Sequence, residues 1–171
     1  MANATFAPVK VLPQTLFLAT GSNQGNSFDI LQECNRLIHA NIGEIQRESP
    51  MYITQAWGKT DQPDFLNQVL QVATPFTPLM VFQKLQQIEK QLGRVRYEKW
   101  GPRSIDIDIL FYGSHIIQNQ DLQIPHPELQ NRNFVLKPLL DIAPRWTHPV
   151  LKKEIRILWK QRTDRLTVKQ I

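Results

Sequence analysis

Residues 100–113, WGPRSIDIDILFYG, constrain the fold more than any other stretch. From about Ser104 the pattern alternates with period two, so Ile105, Ile107, Ile109 and Phe111 are expected on one face of a strand and Asp106, Asp108 and Leu110 on the other. The apolar face marks the strand as central. Two carboxylates two residues apart on one face stand roughly 7 Å from each other by strand rise, and they repel unless a cation lies between them. Carboxylate oxygens suit Mg²⁺, which commonly completes its shell with water and substrate phosphates. Arg94, Arg96 and Arg103 lie just upstream and supply forked donors for phosphate oxygens. A D-x-D pair alone is also met as ordinary solvated surface, so its chemistry rests on its neighbours. Acids adjacent to arginines imply metal-assisted phosphoryl chemistry.

The 171 residues, 42% hydrophobic and 20% charged, suit one domain with its own core. A net charge of +5 favours anionic partners without choosing among nucleotide, nucleic acid and acidic surface. Cys34 is the single cysteine, which excludes an internal disulfide or a cysteine metal site and makes a reducing cytoplasm the expected compartment. No apolar run approaches the roughly eighteen residues needed to cross a bilayer, so no membrane partner is expected. Residues 1–13 read as a flexible extension, 14–160 as the folded domain and 161–171 as a charged tail.

Along the chain, the run LFLAT at residues 16–20 is a buried strand turning at Gly21-Ser22-Asn23. A helix follows, capped by Asn26 or Ser27, with Ile30, Leu31, Cys34, Leu37 and Ile38 on one stripe, and it stops at Asn41 and Gly43. Residues 45–53 alternate as one half-exposed strand leading into a long loop, residues 54–63. The next strand, residues 65–74, sets Phe65, Asn67 and Val69 on one face and Leu66, Leu70 and Val72 on the other. Thr77-Pro78 opens a second helix with Leu79, Phe82, Leu85, Ile88 and Leu92 inward, and Gln86 and Glu89 on its flank. His126, between Pro125 and Pro127, is held by stiff backbone. Asn131-Arg132-Asn133-Phe134 leads a short helix to Ile142, and the tail is an amphipathic helix around Ile155, Leu158 and Trp159 that frays into charge. The order β-α-β-β-α-β predicts an α+β, ferredoxin-like antiparallel sheet with helices on one face and a C-terminal appendage, the other face being open.

The string W-G-P-R-S-I-D-I-D-I-L closely resembles the 6-hydroxymethyl-7,8-dihydropterin pyrophosphokinase family, whose signature is G-P-R-x-x-D-(L/I)-D-(I/L). Further ordered blocks agree between residues 16 and 149: G-S-N at Gly21, D-Q-P-D-F-L-N at Asp61, G-R-V-R at Gly93, P-H-P at Pro125 and N-R-N-F-V-L at Asn131. The resemblance implies pyrophosphoryl transfer from ATP to the pterin's hydroxymethyl group, giving AMP, with two Mg²⁺ ions on Asp106 and Asp108. It implies that Arg94, Arg96, Trp100, Arg103, His126 and Arg132 contact ATP or the transferring group, with Gln86 and Glu89 beside the nucleotide. On the pterin side it implies a sandwich of Phe65 and Phe134, recognition by the Asn67 amide, and main-chain help from Thr54 and Trp57, with Asp106 adjoining. Gln55-Ala56 stands where many members carry proline. A monomer working on small molecules is expected, with no nucleic-acid partner and with no side chain acting as an obligatory nucleophile.

Two other readings share some of these features. An open antiparallel sheet with basic loops is also an RNA platform, but such sheets present aromatics where this one carries Asp106 and Asp108. A metal-dependent phosphodiesterase would share the D-x-D logic and need no ATP.

Overall fold

A computed structural model describes residues 12–56, 61–94 and 101–171; residues 1–11 of the extension expected at 1–13, together with Trp57, Arg96 and Trp100, lie outside them. Strand β1 (Gln14–Ser22) is an inner strand of the sheet. It pairs antiparallel with β4 (Phe65–Thr74) on one side, from Gln14 opposite Thr74 to Ser22 opposite Leu66, and with β5 (Asp106–Tyr112) on the other. The aspartate strand is therefore an edge of the main sheet, not its centre. Its apolar run reflects burial on both faces, which periodicity does not distinguish from pairing on both sides.

The expected strand at residues 45–53 is two strands, β2 (Glu44–Glu48) and β3 (Tyr52–Thr54), both laid along the same side of β4. Pro50 has no N–H to give a ladder. Ser49 bridges the break instead: its N–H donates to the Val69 carbonyl at 2.9 Å and its hydroxyl accepts the Val69 N–H at 3.0 Å.

Helices α1 (Ser27–Asn41) and α2 (Pro78–Gln91) cover one face, as expected for the ferredoxin-like α+β class. Asn26 caps α1 by accepting the Asp29 N–H, and Thr77 caps α2 ahead of Pro78. Leu31, Cys34 and Ile38 meet Leu16, Leu18, Leu70 and Val72 in the first core. Along α2 the inward residues are Val81, Leu85 and Ile88; Leu79, expected inside, is 58% exposed, since the buried stripe begins at Val81.

The second face is open only in part. Two short strands, β6 (Ile117–Gln118) and β7 (Gln123–Ile124), form a small hairpin, after which α3 (Asn133–Ile142) and α4 (Ile155–Gln161) cover much of that face. Val135, Leu136, Leu139 and Ile155 pack there on Phe17, Val69, Leu110 and Phe111. Phe111 was expected beside the isoleucines. A bulge moves it: Leu18 is opposite Ile109 and Phe17 opposite Phe111, so Leu110 is the extra residue and both it and Phe111 turn to the second core. The chain end is also ordered. The segment expected to fray carries β8 (Val168–Gln170), which pairs with β3 and extends the sheet.

Candidate active site

Strand register assembles the site. On β1, Gly21 is opposite Asn67 of β4 on one side and Asp106 of β5 on the other. Directly opposed residues of neighbouring strands face the same side, so Asn67, Gly21 and Asp106 form one row, with Asp108 beside Ala19 in the row below. Phe65 precedes Asn67 by one pleat and shares its face. The two aspartates therefore project together from the sheet, on the face that α3 and α4 leave uncovered at this end. They floor a cleft of about 700 Å³ whose walls include Thr54, Phe65, Asn67, Arg103, Arg132 and Phe134.

Glycine at position 21 makes the floor low enough. A Cβ there would lie 2.6 Å from Asn67 Oδ1 and 3.8 Å from the Phe65 ring. Asn67 is buried, and its amide donates to Thr54 Oγ1 at 2.7 Å, which fixes the outward edge. Across the cleft, Phe134 stands in the first turn of α3 with the Arg132 guanidinium 5.7 Å from its ring centre.

The acids are held unequally. Asp106 takes Arg94 on Oδ1 at 2.8 Å and Arg103 on Oδ2 at 2.6 Å. Arg94 is shared with Glu89 of α2, and Glu89 also accepts the Ile107 N–H at 2.8 Å, which ties α2 to the edge strand. Glu89 is buried, not on the helix flank, and burial raises its carboxyl above the ordinary range while Arg94 pulls it back. Asp108 keeps 40% of its side chain within reach of water yet is walled by protein on its other sides. That enclosure, then the neighbouring Asp106 charge, pushes its carboxyl up to about 7 against the pull of Arg132 and Arg94.

Asp108 also faces His126, whose Nε2 lies 3.8 Å from Oδ2. His126 Nδ1 accepts the Glu128 N–H at 3.1 Å, so the neutral ring carries its proton on Nε2 and turns it to the acid. Burial and the Arg132 charge push His126 down to about 4, so near neutrality this contact is not an ion pair. A second cleft of about 640 Å³ opens beside the sheet-edge strand β5, between Phe82, Ile107, Ile109, Leu122 and His126, and Asp108 lines it as well as the first.

Of the residues expected in the site, Arg94, Arg103, Asp106 and Glu89 form one ion-paired network, Asp108 and His126 face each other beside it, and Thr54, Phe65, Asn67, Arg132 and Phe134 share the first cleft with the acids. Gln86 is exposed on α2. Sequence reasoning missed two residues that position others. Gly21 is one. Asn23 is the second: it exchanges hydrogen bonds with Arg103, Oδ1 accepting that residue's N–H at 2.9 Å and its own N–H donating to the carbonyl at 3.2 Å. The Asn23 amide donates to the Pro63 carbonyl and to Gln62, which joins the loop before β4 to the arginine. Its sequence signal was G-S-N, read as a turn and as one of the blocks shared with the family, without a role for either residue.

Fold and site together define a ferredoxin-like α+β domain with an acid and arginine centre between two clefts. Residues 17–144 match the family model described as 7,8-dihydro-6-hydroxymethylpterin-pyrophosphokinase (HPPK). The chain belongs to this family and is a pyrophosphokinase. It is 38% identical over 142 residues to a 2-amino-4-hydroxy-6-hydroxymethyldihydropteridine pyrophosphokinase of Aquifex aeolicus, covering 83% of this chain and 88% of that one. It is 40% identical over 130 residues to the protein of the same name in Haemophilus influenzae, covering 75% and 81%. Among solved structures, a Plasmodium falciparum HPPK-DHPS with STZ-DHP superposes with a TM-score of 0.76 at 18% identity, over 90% of this chain and 46% of that chain. This chain thus spans just under half of that longer protein, and the likeness to it establishes the fold alone.

Proposed function

We propose that this chain transfers the pyrophosphoryl group of ATP to the hydroxymethyl oxygen of 6-hydroxymethyl-7,8-dihydropterin in the cytoplasm, as a monomer. A bond forms between that oxygen and the β-phosphorus. The bond from the β-phosphorus to the α–β bridging oxygen breaks, that oxygen leaves with AMP, and the hydroxyl proton is released. The arrangement of the acids carries the reading: Asp108 is shared by two clefts, and Asp106 is aligned with Asn67 in one of them.

The cleft lined by Phe65 and Phe134 receives the pterin between two aromatic faces, and the Asn67 amide reads its donor and acceptor edge. The cleft along β5 receives the nucleotide, with His126 Nε2–H as a neutral donor to phosphate oxygens. Arg94 and Arg103 hold Asp106 in place and offer guanidinium donors to the same phosphates, and Arg132 stands beside the transferring group. Arg96, Trp100, Trp57 and Gln86 keep the roles that the family resemblance implies.

Magnesium fits the donor set. Asp106 and Asp108 are hard oxygen ligands on one face, and the raised Asp108 carboxyl belongs to a position where added positive charge is favourable. No group of three or more acidic, histidine or cysteine side chains gathers among the described residues, so further ligands would be water and phosphate, the mode Mg²⁺ prefers. Once bound, two such ions would neutralise phosphate charge as the group transfers. The test is AMP release from ATP with and without the pterin alcohol and Mg²⁺. AMP formed equally well without the pterin alcohol would replace the transferase reading with a hydrolase.

A further inference from the structure

Helix α3 delivers Arg132 and Phe134 to the pterin cleft, yet Arg132, at its N-cap position, makes no side-chain cap. The cap comes from elsewhere. Asp164 Oδ2 accepts the Asn133 N–H at 2.8 Å, and its Oδ1 accepts the Leu166 N–H at 2.9 Å. The Asn133 amide, itself 4% exposed, donates both hydrogens back to this segment, to the Asp164 carbonyl at 3.1 Å and the Leu166 carbonyl at 2.9 Å. A few residues further on, β8 pairs Val168 with Thr54 and Gln170 with Tyr52, and the Ile171 N–H donates to the Met51 carbonyl at 3.1 Å. Thr54 holds the Asn67 amide. One short segment, beyond the residues that the family model matches, is thus bonded to both walls of the same cleft.

We infer that Asp164 is a positioning residue for pterin binding: it fixes the first turn of α3, and with it Phe134 and Arg132, relative to the strand that carries Thr54. A carboxylate at a helix N-terminus satisfies a donor that the helix cannot satisfy itself and complements the helix dipole. Losing it releases the turn that bears the aromatic wall, while the nucleotide cleft along β5 has no contact with this segment through any described hydrogen bond. The inference rests on the pterin assignment of the cleft lined by Phe65 and Phe134.

The test uses the full-length protein and measures equilibrium binding of 6-hydroxymethylpterin and of MgATP separately, with the melting temperature alongside. Asp164→Ala is expected to weaken pterin binding about fivefold, the scale of a lost cap, and, because Arg132 shifts with the turn, to lower MgATP affinity by a smaller factor of no more than about twofold. Asp164→Asn keeps one acceptor oxygen and is expected to weaken pterin binding about threefold; it carries the test if the alanine variant does not fold. Asn26→Ala removes the cap of α1 at a residue that lines neither cleft, and is expected to lower the melting temperature while both affinities hold. Pterin affinity unchanged in the Asp164 variants, a parallel loss of MgATP affinity, or an equal pterin loss in Asn26→Ala would each overturn the inference. Wild-type protein that binds MgATP but no pterin would overturn the cleft assignment beneath it, and the inference with it.

Discussion

Gly21→Ala is the smallest substitution that separates the recognition of the pterin from the stability of the fold. Gly21 is not among the glycines with positive φ, so alanine carries no backbone penalty there and the whole cost is steric. The new Cβ would meet Asn67 Oδ1 at 2.6 Å, whereas ordinary contact begins at 3.4 Å, so 3.4 − 2.6 leaves about 0.8 Å to be found. The amide end of Asn67 yields more easily than the paired backbone, and its rotation loosens the 2.7 Å bond to Thr54 Oγ1. That bond and an off-rotamer side chain together cost about 1.5 kcal/mol of stability. Substrate recognition should suffer more. A pterin facing a displaced amide is left with an unpaired polar edge, worth about 1.5–3 kcal/mol, or roughly 10- to 150-fold in kcat/KM for the pterin, with the KM for ATP almost unchanged. Steady-state kinetics with each substrate varied, together with thermal melts, measure both parts. The Gly21→Ala/Asn67→Ala double variant supplies the control: with the amide gone the Cβ meets nothing polar, so it should behave like Asn67→Ala alone. Additive losses in the double variant, or a pterin kcat/KM within twofold of wild type in Gly21→Ala, would refute the steric argument.

Asp108→Asn removes a charge that the fold disfavours but the chemistry uses. Turnover should fall by at least about 100-fold while the metal-free protein melts no lower at pH 8 than wild type; a clear drop in melting temperature would count against the raised carboxyl. Glu89→Ala strips the partner from the Ile107 N–H and from Arg94 and should cost about 3 kcal/mol in urea unfolding, with Glu89→Gln costing less because its amide oxygen still accepts that N–H. The pH dependence of the metal-free protein follows from two opposed shifts. Asp108, raised to about 7, makes stability fall as pH rises from its ordinary 3.8 towards 7; His126, lowered to about 4, makes stability rise with pH between about 4 and its ordinary 6.5. His126→Gln deletes only the second effect, so comparing melting temperatures at pH 4.5 and 7.5 should show the variant losing more stability on going to the higher pH than wild type does; equal pH responses would contradict the assignment.

What the sequence encoded legibly was whatever a single segment's own alternation determines. Period two in IDIDI put both aspartates on one face, period two in FLNQVLQV put Phe65 with Asn67, and Thr77-Pro78 and the Asn26-Ser27 pair marked helix starts that the structure reproduces, with Asn26 as the cap. The features that went unread arise where one segment is set by another. The bulge at Leu110 sits inside ILFY, where every residue is apolar, so a reversal of facing leaves no trace in the pattern and is fixed only by pairing with Phe17 and Leu18. Residues 168–170 are too short to specify a strand and become one because β3 offers an unpaired edge. Gly21 and Asn23 looked like turn residues because turns favour both. Their consequences, room for the Asn67 amide and an anchor for Arg103, exist only once β4 and residues 101–103 are brought alongside β1. The chemical groups could therefore be named from the chain alone, whereas the geometry that makes them a site is a property of strand register. Gly21 is where that register is most exposed to test, since it lies between Asn67 and Asp106 and contributes no side chain of its own.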